Sequence, residues 1–227
     1  MEEGIQELTA QVVASGRVRV TNDVVGAVRD TDLSFICVGT PSSPNGSQDL
    51  SAVRRVSEQI GTALKDKGGY HTVVMRSTIQ PGSMDEVVKA GIELTSGKVA
   101  NRDFGLCFQP EFLREGTSIK DYDSPPFTVI GTEDPRAAEV LRSVFGHLPC
   151  DFLTTSIGVA EMLKYACNAF HAVKITFANE VGRLSQSVGV DARAVMELVC
   201  KDKRLNISPA YLKPGFAFGG SCLPKDL

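Results

Sequence analysis

Along the first 150 positions the apolar residues come in two alternating forms. Leu33 to Val38 (LSFICV) is a short apolar run stopped by Gly39-Thr40-Pro41, the pattern of a buried strand. From Leu50 to Lys67 the pattern changes to steps of three and four, with Val53, Val56, Ile60 and Leu64 on one stripe. That predicts an amphipathic helix, ended by Gly68-Gly69. Thr72 to Arg76 (TVVMR) is the next predicted strand, followed by a turn at Pro81-Gly82 and a helix carrying Val87 and Val88. Phe104–Phe108 and Phe127–Ile130 are further strands, and Pro135 opens a helix at a first-turn position where its missing N–H costs nothing. Strands alternating with helices predict an α/β fold built on a parallel sheet.

After Cys150 the alternation stops. Residues 157–188 run without Pro and predict one long helix, and Asp191 is placed to cap a shorter one reaching Lys201. From Asn206 onward the chain is rich in Gly, Pro and aromatic residues and reads as a structured loop. We therefore expect an α/β domain over 1–150 and a helical domain over 151–227.

Composition narrows the function. With 24 Lys and Arg against 27 Asp and Glu, the net charge of −3 argues against a general nucleic-acid binder. No apolar run reaches the roughly 18 residues of a membrane span. The acidic start Met1-Glu2-Glu3 lacks the pattern of a signal peptide, so a cytoplasmic protein is expected. The six cysteines form no CxxC pair, and three His offer no zinc spacing, so no metal is expected. Cys37, Cys107 and Cys167 lie in apolar surroundings and are expected to fill core.

Four places could carry chemistry. In the tail, PGFAFGGSCLPKD places Cys222 after Gly-Gly-Ser, with Lys225 and Asp226 close behind. Glycines let the backbone approach a ligand, and a nearby cation favours the thiolate, which is the nucleophile. A glycine-rich turn with an incidental thiol would look the same. On the long helix Lys164, Asn168, His171 and Asn179 fall at offsets 0, 4, 7 and 15, within one face at about 100° per residue. They read as a ligand-facing wall, or as a solvated face. Thr40 and Thr78 each follow a strand, where open parallel sheets bind ligands, although either could be an ordinary turn residue or cap. Glu111 and Glu115 follow a third strand in PEFLREG, where pairing with Arg114 is the plain alternative. No G-x-G-x-x-G turn for a pyrophosphate occurs.

Taken together, VGTP, STIQPG, PEFLREG, EMLKYACNAFHAVKITFANE and GFAFGGSCLPKD resemble the UDP-glucose/GDP-mannose dehydrogenase family, in the family's order and over nearly the whole chain. The Phe-Ala-Phe and Leu-Pro-Lys-Asp forms resemble its GDP-mannose branch, with the UDP-glucose branch as the alternative. The resemblance implies an internal piece of such an enzyme, without the first strand and glycine turn and without a C-terminal sugar-nucleotide domain. It implies a partial doubly wound, Rossmann-like sheet, NAD as cofactor, a homodimer formed through the central helix, and no nucleic-acid or membrane partner. It further implies oxidation of a nucleotide-sugar alcohol to a carboxylate through a thioester on Cys222. Lys164 and Asn168 match the family's oxyanion donors, Asp226 and Glu111 its water-orienting carboxylates, and Thr40, Thr78 and Lys225 its cofactor contacts. Glu115, His171, Asn179, Tyr211, Lys213 and Phe216 match substrate contacts, with Lys213 standing where the GDP-mannose branch tends to carry Arg. Lys lacks the bidentate grip of Arg on phosphate. An isolated piece of this kind, acting only by association, is the contrasting expectation. Weak NAD binding, no turnover and strong self-association are what the piece alone should show.

Overall fold

The structure, a computed structural model, describes residues 2–210, 212, 214 and 215. Contacts divide the chain into two units, Met1–Asn168 and Ala169–Leu227.

Among the described residues of the first unit, one sheet has the order β1 (Leu33–Ile36), β2 (Thr72–Met75), β3 (Gly105–Phe108), β4 (Phe127–Gly131) and β5 (Asp151–Thr155). β1, β2 and β3 pair in parallel, as do β4 and β5. The expected all-parallel sheet is corrected at its middle, where β4 meets β3 antiparallel through the single pair Phe108↔Gly131. The register is informative. Ile36 pairs with Met75, Met75 with Phe108, Phe108 with Gly131, and Gly131 with Thr155. These are the last residues of all five strands, so one lateral row joins five carboxyl ends. Whatever follows each strand leaves from the same rim.

Both faces of the sheet are covered. On one side Ile36, Val73, Met75, Leu106, Phe108 and Val129 join a core with Val53, Ile60 and Leu64 of α3 (Ser51–Lys65) and Ile92 of α4 (Ala90–Ser96). On the other, Val74, Cys107 and Ile130 pack on Ala137, Leu141 and Phe145 of α6 (Pro135–Phe145). Near-continuous apolar strands are what a sheet buried on two faces requires. The remaining helices of this unit are α1 (Ile5–Ala14), α2 (Val24–Arg29) and α5 (Ser118–Asp123). α3 stops at Lys65, before the expected glycines, and a π-helical turn over Met84–Lys89 leads into α4. β1 lies at the sheet's edge, so the expectation that Cys37 fills core fails: Cys37 is exposed, whereas Cys107 is buried.

α7 (Ile157–Ser187) begins on the rim. A side chain at Gly131 would collide with it, since a Cβ there would sit 2.6 Å from Ala160 Cβ and 2.9 Å from Ile157 Cα. The absence of a side chain at Gly131 is what lets the first turn of α7 seat on the sheet. In the second unit the rest of α7 is followed by α8 (Ala192–Lys201), capped as expected by Asp191, whose Oδ1 accepts from the Arg193 amide at 2.9 Å. Apolar residues stay exposed here, among them Val173 at 61%, Leu184 at 67% and Leu198 at 67%. No helix among the described residues is long and apolar enough to cross a membrane.

The β1–β2 junction holds a buried imidazole. His71 is fully buried, its Nδ1 donating to the Thr31 carbonyl at 3.0 Å and its Nε2 meeting the Ser34 hydroxyl at 2.9 Å. Burial, with the Lys67 ammonium next in importance, pushes its pKa down from 6.5 to about 4. The folded protein therefore binds this proton less well than the unfolded chain. Stability is complete above about pH 6.5 and is lost as pH falls toward 4. Equilibrium unfolding should lose about 2 kcal/mol between neutral pH and about pH 4.5 through this residue. That loss should be missing from His71→Gln; superimposable pH curves for the two proteins would remove His71 from the explanation.

Candidate functional site

The rim gathers residues far apart in sequence. A cleft of about 310 Å³ is lined by Cys37, Val38, Gly39 and Thr40 after β1, by Arg76, Ser77 and Thr78 after β2, and by Glu111 after β3. The two strand-end loops are stitched together. Ser77 Oγ donates to the Val38 carbonyl at 2.6 Å, and Thr40 Oγ1 donates to the Thr78 carbonyl at 2.9 Å. Open space adjoins Gly39, with no heavy atom within 4 Å of where a Cβ would stand. Arg76 supplies the cleft's cation and is oriented by Gln109, whose Oε1 accepts from its guanidinium at 2.7 Å. Burial pushes the Cys37 thiol up, with Arg76 opposing, so this cysteine rests as a thiol. Another recess, of about 590 Å³, runs along α1 and is lined by Ile5, Gln6, Thr9, Ala10, Val13 and Ala14. It offers no ionisable group.

Beside the cleft, α7 brings in a lysine. The side chain of Lys164 is 9% exposed, and its ammonium donates to the Glu111 backbone carbonyl and lies 3.3 Å from Glu111 Oε1. The same ammonium stands 5.3 Å from the centre of the Phe112 ring, a cation–π contact. A buried ammonium is costly unless its protons find acceptors. Here one residue, Glu111, supplies two of them, and its Oε2 accepts from the Leu113 amide at 2.8 Å. The Glu111 loop and the first turns of α7 are thereby locked together. The result is a fixed cationic donor with a carboxylate at its side, an arrangement able to bind a developing oxyanion and orient a water.

The sequence-derived candidates fall into groups. Thr40, Thr78, Glu111 and Lys164 are brought together at the rim. Asn168, one helical turn after Lys164, is exposed, as is Glu115. Glu115 takes no part in the Arg114 pairing considered for this loop: Arg114 instead makes a two-pronged pair with Asp121, at 3.0 and 2.7 Å. His171 and Asn179 are exposed on the later part of α7, in the second unit. Tyr211, Lys213, Phe216, Cys222, Lys225 and Asp226 lie outside the described residues. Sequence reasoning missed Glu161, which is 1% exposed. Its Oε2 accepts from the Gly82 amide at 2.9 Å and its Oε1 from the Met84 amide at 3.0 Å. Burial raises its pKa, against the lowering effect of those two donors. The available signal was its place three residues before Lys164 on one helix, which puts both on neighbouring faces. Gln48 was missed too, being a lone amide in a polar loop.

Comparison with known proteins is consistent along the chain. Residues 1–149 match the NAD binding domain of the UDP-glucose/GDP-mannose dehydrogenase family, and residues 158–227 match its central domain. A GDP-mannose 6-dehydrogenase of Pseudomonas syringae pv. tomato is 52% identical over 227 residues, covering 100% of this chain and 52% of the relative. A UDP-glucose 6-dehydrogenase of Haloferax volcanii is 39% identical, covering 99% of this chain and 53% of that protein. Among solved structures, a ternary complex of GDP-mannose dehydrogenase from Pseudomonas aeruginosa superposes with a TM-score of 0.98 at 50% identity, covering 100% of this chain and 52% of the other. The chain thus spans about half the length of the curated relatives it matches.

The lysine–glutamate lock has a measurable asymmetry. Glu111→Ala strands a nearly buried ammonium with a backbone carbonyl as acceptor and should cost about 1–3 kcal/mol of stability. Lys164→Met should cost less, because the carboxylate it leaves behind is 32% exposed and can be hydrated. Denaturant unfolding of the two variants measures the order, and the reverse order would contradict the lock.

Proposed function

Because the chain belongs to the UDP-glucose/GDP-mannose dehydrogenase family, we propose that the protein oxidises the C6 alcohol of a nucleotide sugar, GDP-mannose, to the carboxylate in two steps. NAD, when bound, takes up a hydride at each step. The observation that carries this reading is the Glu111–Lys164 lock beside the Thr40–Thr78 cleft. The residues present suit the cofactor. A cleft of about 310 Å³ with hydroxyls from Thr40 and Thr78 and open backbone at Gly39 suits the nicotinamide riboside half rather than a whole dinucleotide. Thr40 Oγ1 spends its proton on the Thr78 carbonyl and keeps lone pairs with which to accept.

The rest of the chemistry follows from what each step requires. In the first, the sugar hydroxyl gives up its proton to an ordered water as hydride leaves carbon, forming an aldehyde. In the second, the Cys222 thiolate adds to that aldehyde, forming a C–S bond and a tetrahedral oxyanion. Lys164 is the fixed donor for that oxyanion, with Asn168 one turn further along. Loss of hydride from the adduct leaves a thioester. Water then breaks the C–S bond, giving the carboxylate and the free thiol. Glu111 and Asp226 orient that water, and Lys225 adds to the cofactor contacts. Glu115, His171, Asn179, Tyr211, Lys213 and Phe216 are assigned to the nucleotide sugar.

The same reading divides the labour between an α/β part over 1–150 that serves the cofactor and a helical part over 151–227 that carries the cysteine. It includes a homodimer, supported by the exposed apolar side chains of Phe170, Val173 and Phe177. It also includes a cytoplasmic location and a uronate product destined for an alginate-type polysaccharide.

Supplied with NAD, the intact gene product that carries this chain should convert GDP-mannose to the uronate with two NADH formed per sugar. Its kcat/KM for UDP-glucose should be lower by about tenfold or more, and comparable values would move the assignment to the UDP-glucose branch. Cys222→Ser should release no acid. Acid formation by that variant, followed by mass spectrometry of the sugar product, would rule out the thioester.

A further inference from the structure

The segment from Ser77 to Met84 carries Thr78 and connects β2 to the π-helical turn. Its backbone turns sharply at Gly82, where φ is +93°, a conformation that favours glycine. Two side chains from elsewhere in the fold hold it, each using both of its polar atoms. Gln48 Nε2 donates to the Thr78 carbonyl at 2.7 Å, and Gln48 Oε1 accepts from the Gln80 amide at 3.1 Å. Glu161 accepts from the Gly82 and Met84 amides through its two oxygens. Four bonds therefore fall on alternate residues 78, 80, 82 and 84, two from the loop after β1 and two from α7.

We propose that Glu161 and Gln48 are positioning residues: by gripping the 77–84 segment from its two ends they set where Thr78 stands relative to the Lys164 amine. This rests on the reading of the Thr78 cleft as the cofactor's place. Glu161 sits three residues before Lys164 on α7, so the carboxylate that fixes the segment and the amine that meets the oxyanion ride on one rigid turn. A carboxylate suits the task because two converging N–H donors need two acceptors. Glutamine in that place would turn an NH₂ group toward one of them.

The experiment uses the intact gene product and the variant Glu161→Gln, which keeps the volume and removes one acceptor. Hydrogen–deuterium exchange at the Gly82 and Met84 amides should speed up by about tenfold, the effect of one lost hydrogen bond. Calorimetric titration should show NAD bound about tenfold more weakly, with affinity for GDP-mannose unchanged. Gln48→Leu, on the more exposed side, should weaken NAD in the same direction and serves where Glu161→Gln does not fold. A residue that only stabilised the fold would lower the unfolding temperature and leave the NAD dissociation constant unmoved. An unmoved constant in the folded variants, or unchanged exchange at Gly82 and Met84, overturns the proposal and leaves the cofactor site standing. A wild-type protein that binds no NAD overturns both together.

Discussion

Everything that matters chemically in this chain depends on a single lateral row of backbone pairing. Ile36, Met75, Phe108, Gly131 and Thr155 are each the last residue of a strand, and each is in register with the next. In a sheet made entirely of parallel strands that outcome is expected. Here β4 runs against β3, and the row survives because the two strands meet tip to tip, through one pair. Five exits consequently share a rim. The threonines after β1 and β2, the glutamate after β3 and the helix after β5 have no other reason to be neighbours.

Burial then converts proximity into fixed geometry. Glu161 and Lys164 are ionisable groups on adjacent turns of α7, 1% and 7% exposed. Charges removed from water must be met by oriented partners, and the partners available are the loops of the rim. Lys164 meets the carbonyl and carboxylate of Glu111, and Glu161 meets two amides of the turn after β2. The cost of desolvating these groups keeps the loops in register with the helix. A site assembled this way needs little rearrangement when a ligand arrives, which is the basis of electrostatic preorganisation.

How much of this was legible beforehand varied with the local signal. α7 and α8 were readable because a Pro-free run and an Asp cap are local facts, and Asp191 does accept the expected amides. β5 was not, since Asp151–Thr155 is half-exposed and shows no alternation of apolar and polar residues. α1 and α2 went unread for the same kind of reason: α1 buries none of its residues and α2 only Gly26 and Val28. Cys37 looked like core because its neighbours are apolar, but edge position is a property of strand order and cannot be read from composition. Of the site, Thr40, Thr78, Glu111 and Lys164 were named in advance through a family resemblance. Glu161 was not, because its role is to accept from backbone amides about eighty positions away, which leaves no trace in residue type.

Gly131 deserves a genetic reading. Codon changes at most glycines of a surface loop are absorbed by a small backbone adjustment. At Gly131 the first methyl group meets Ala160, Ile157 and the Ser156 carbonyl, all at 3.1 Å or less. The yielding element would be the start of α7, and it carries Glu161 and Lys164 with it. A mutation in the middle of the sheet, touching no reacting group, would thus surface in a screen as a loss of activity with the protein still present. Anyone mapping inactive alleles of this gene would be led to an apparently silent strand.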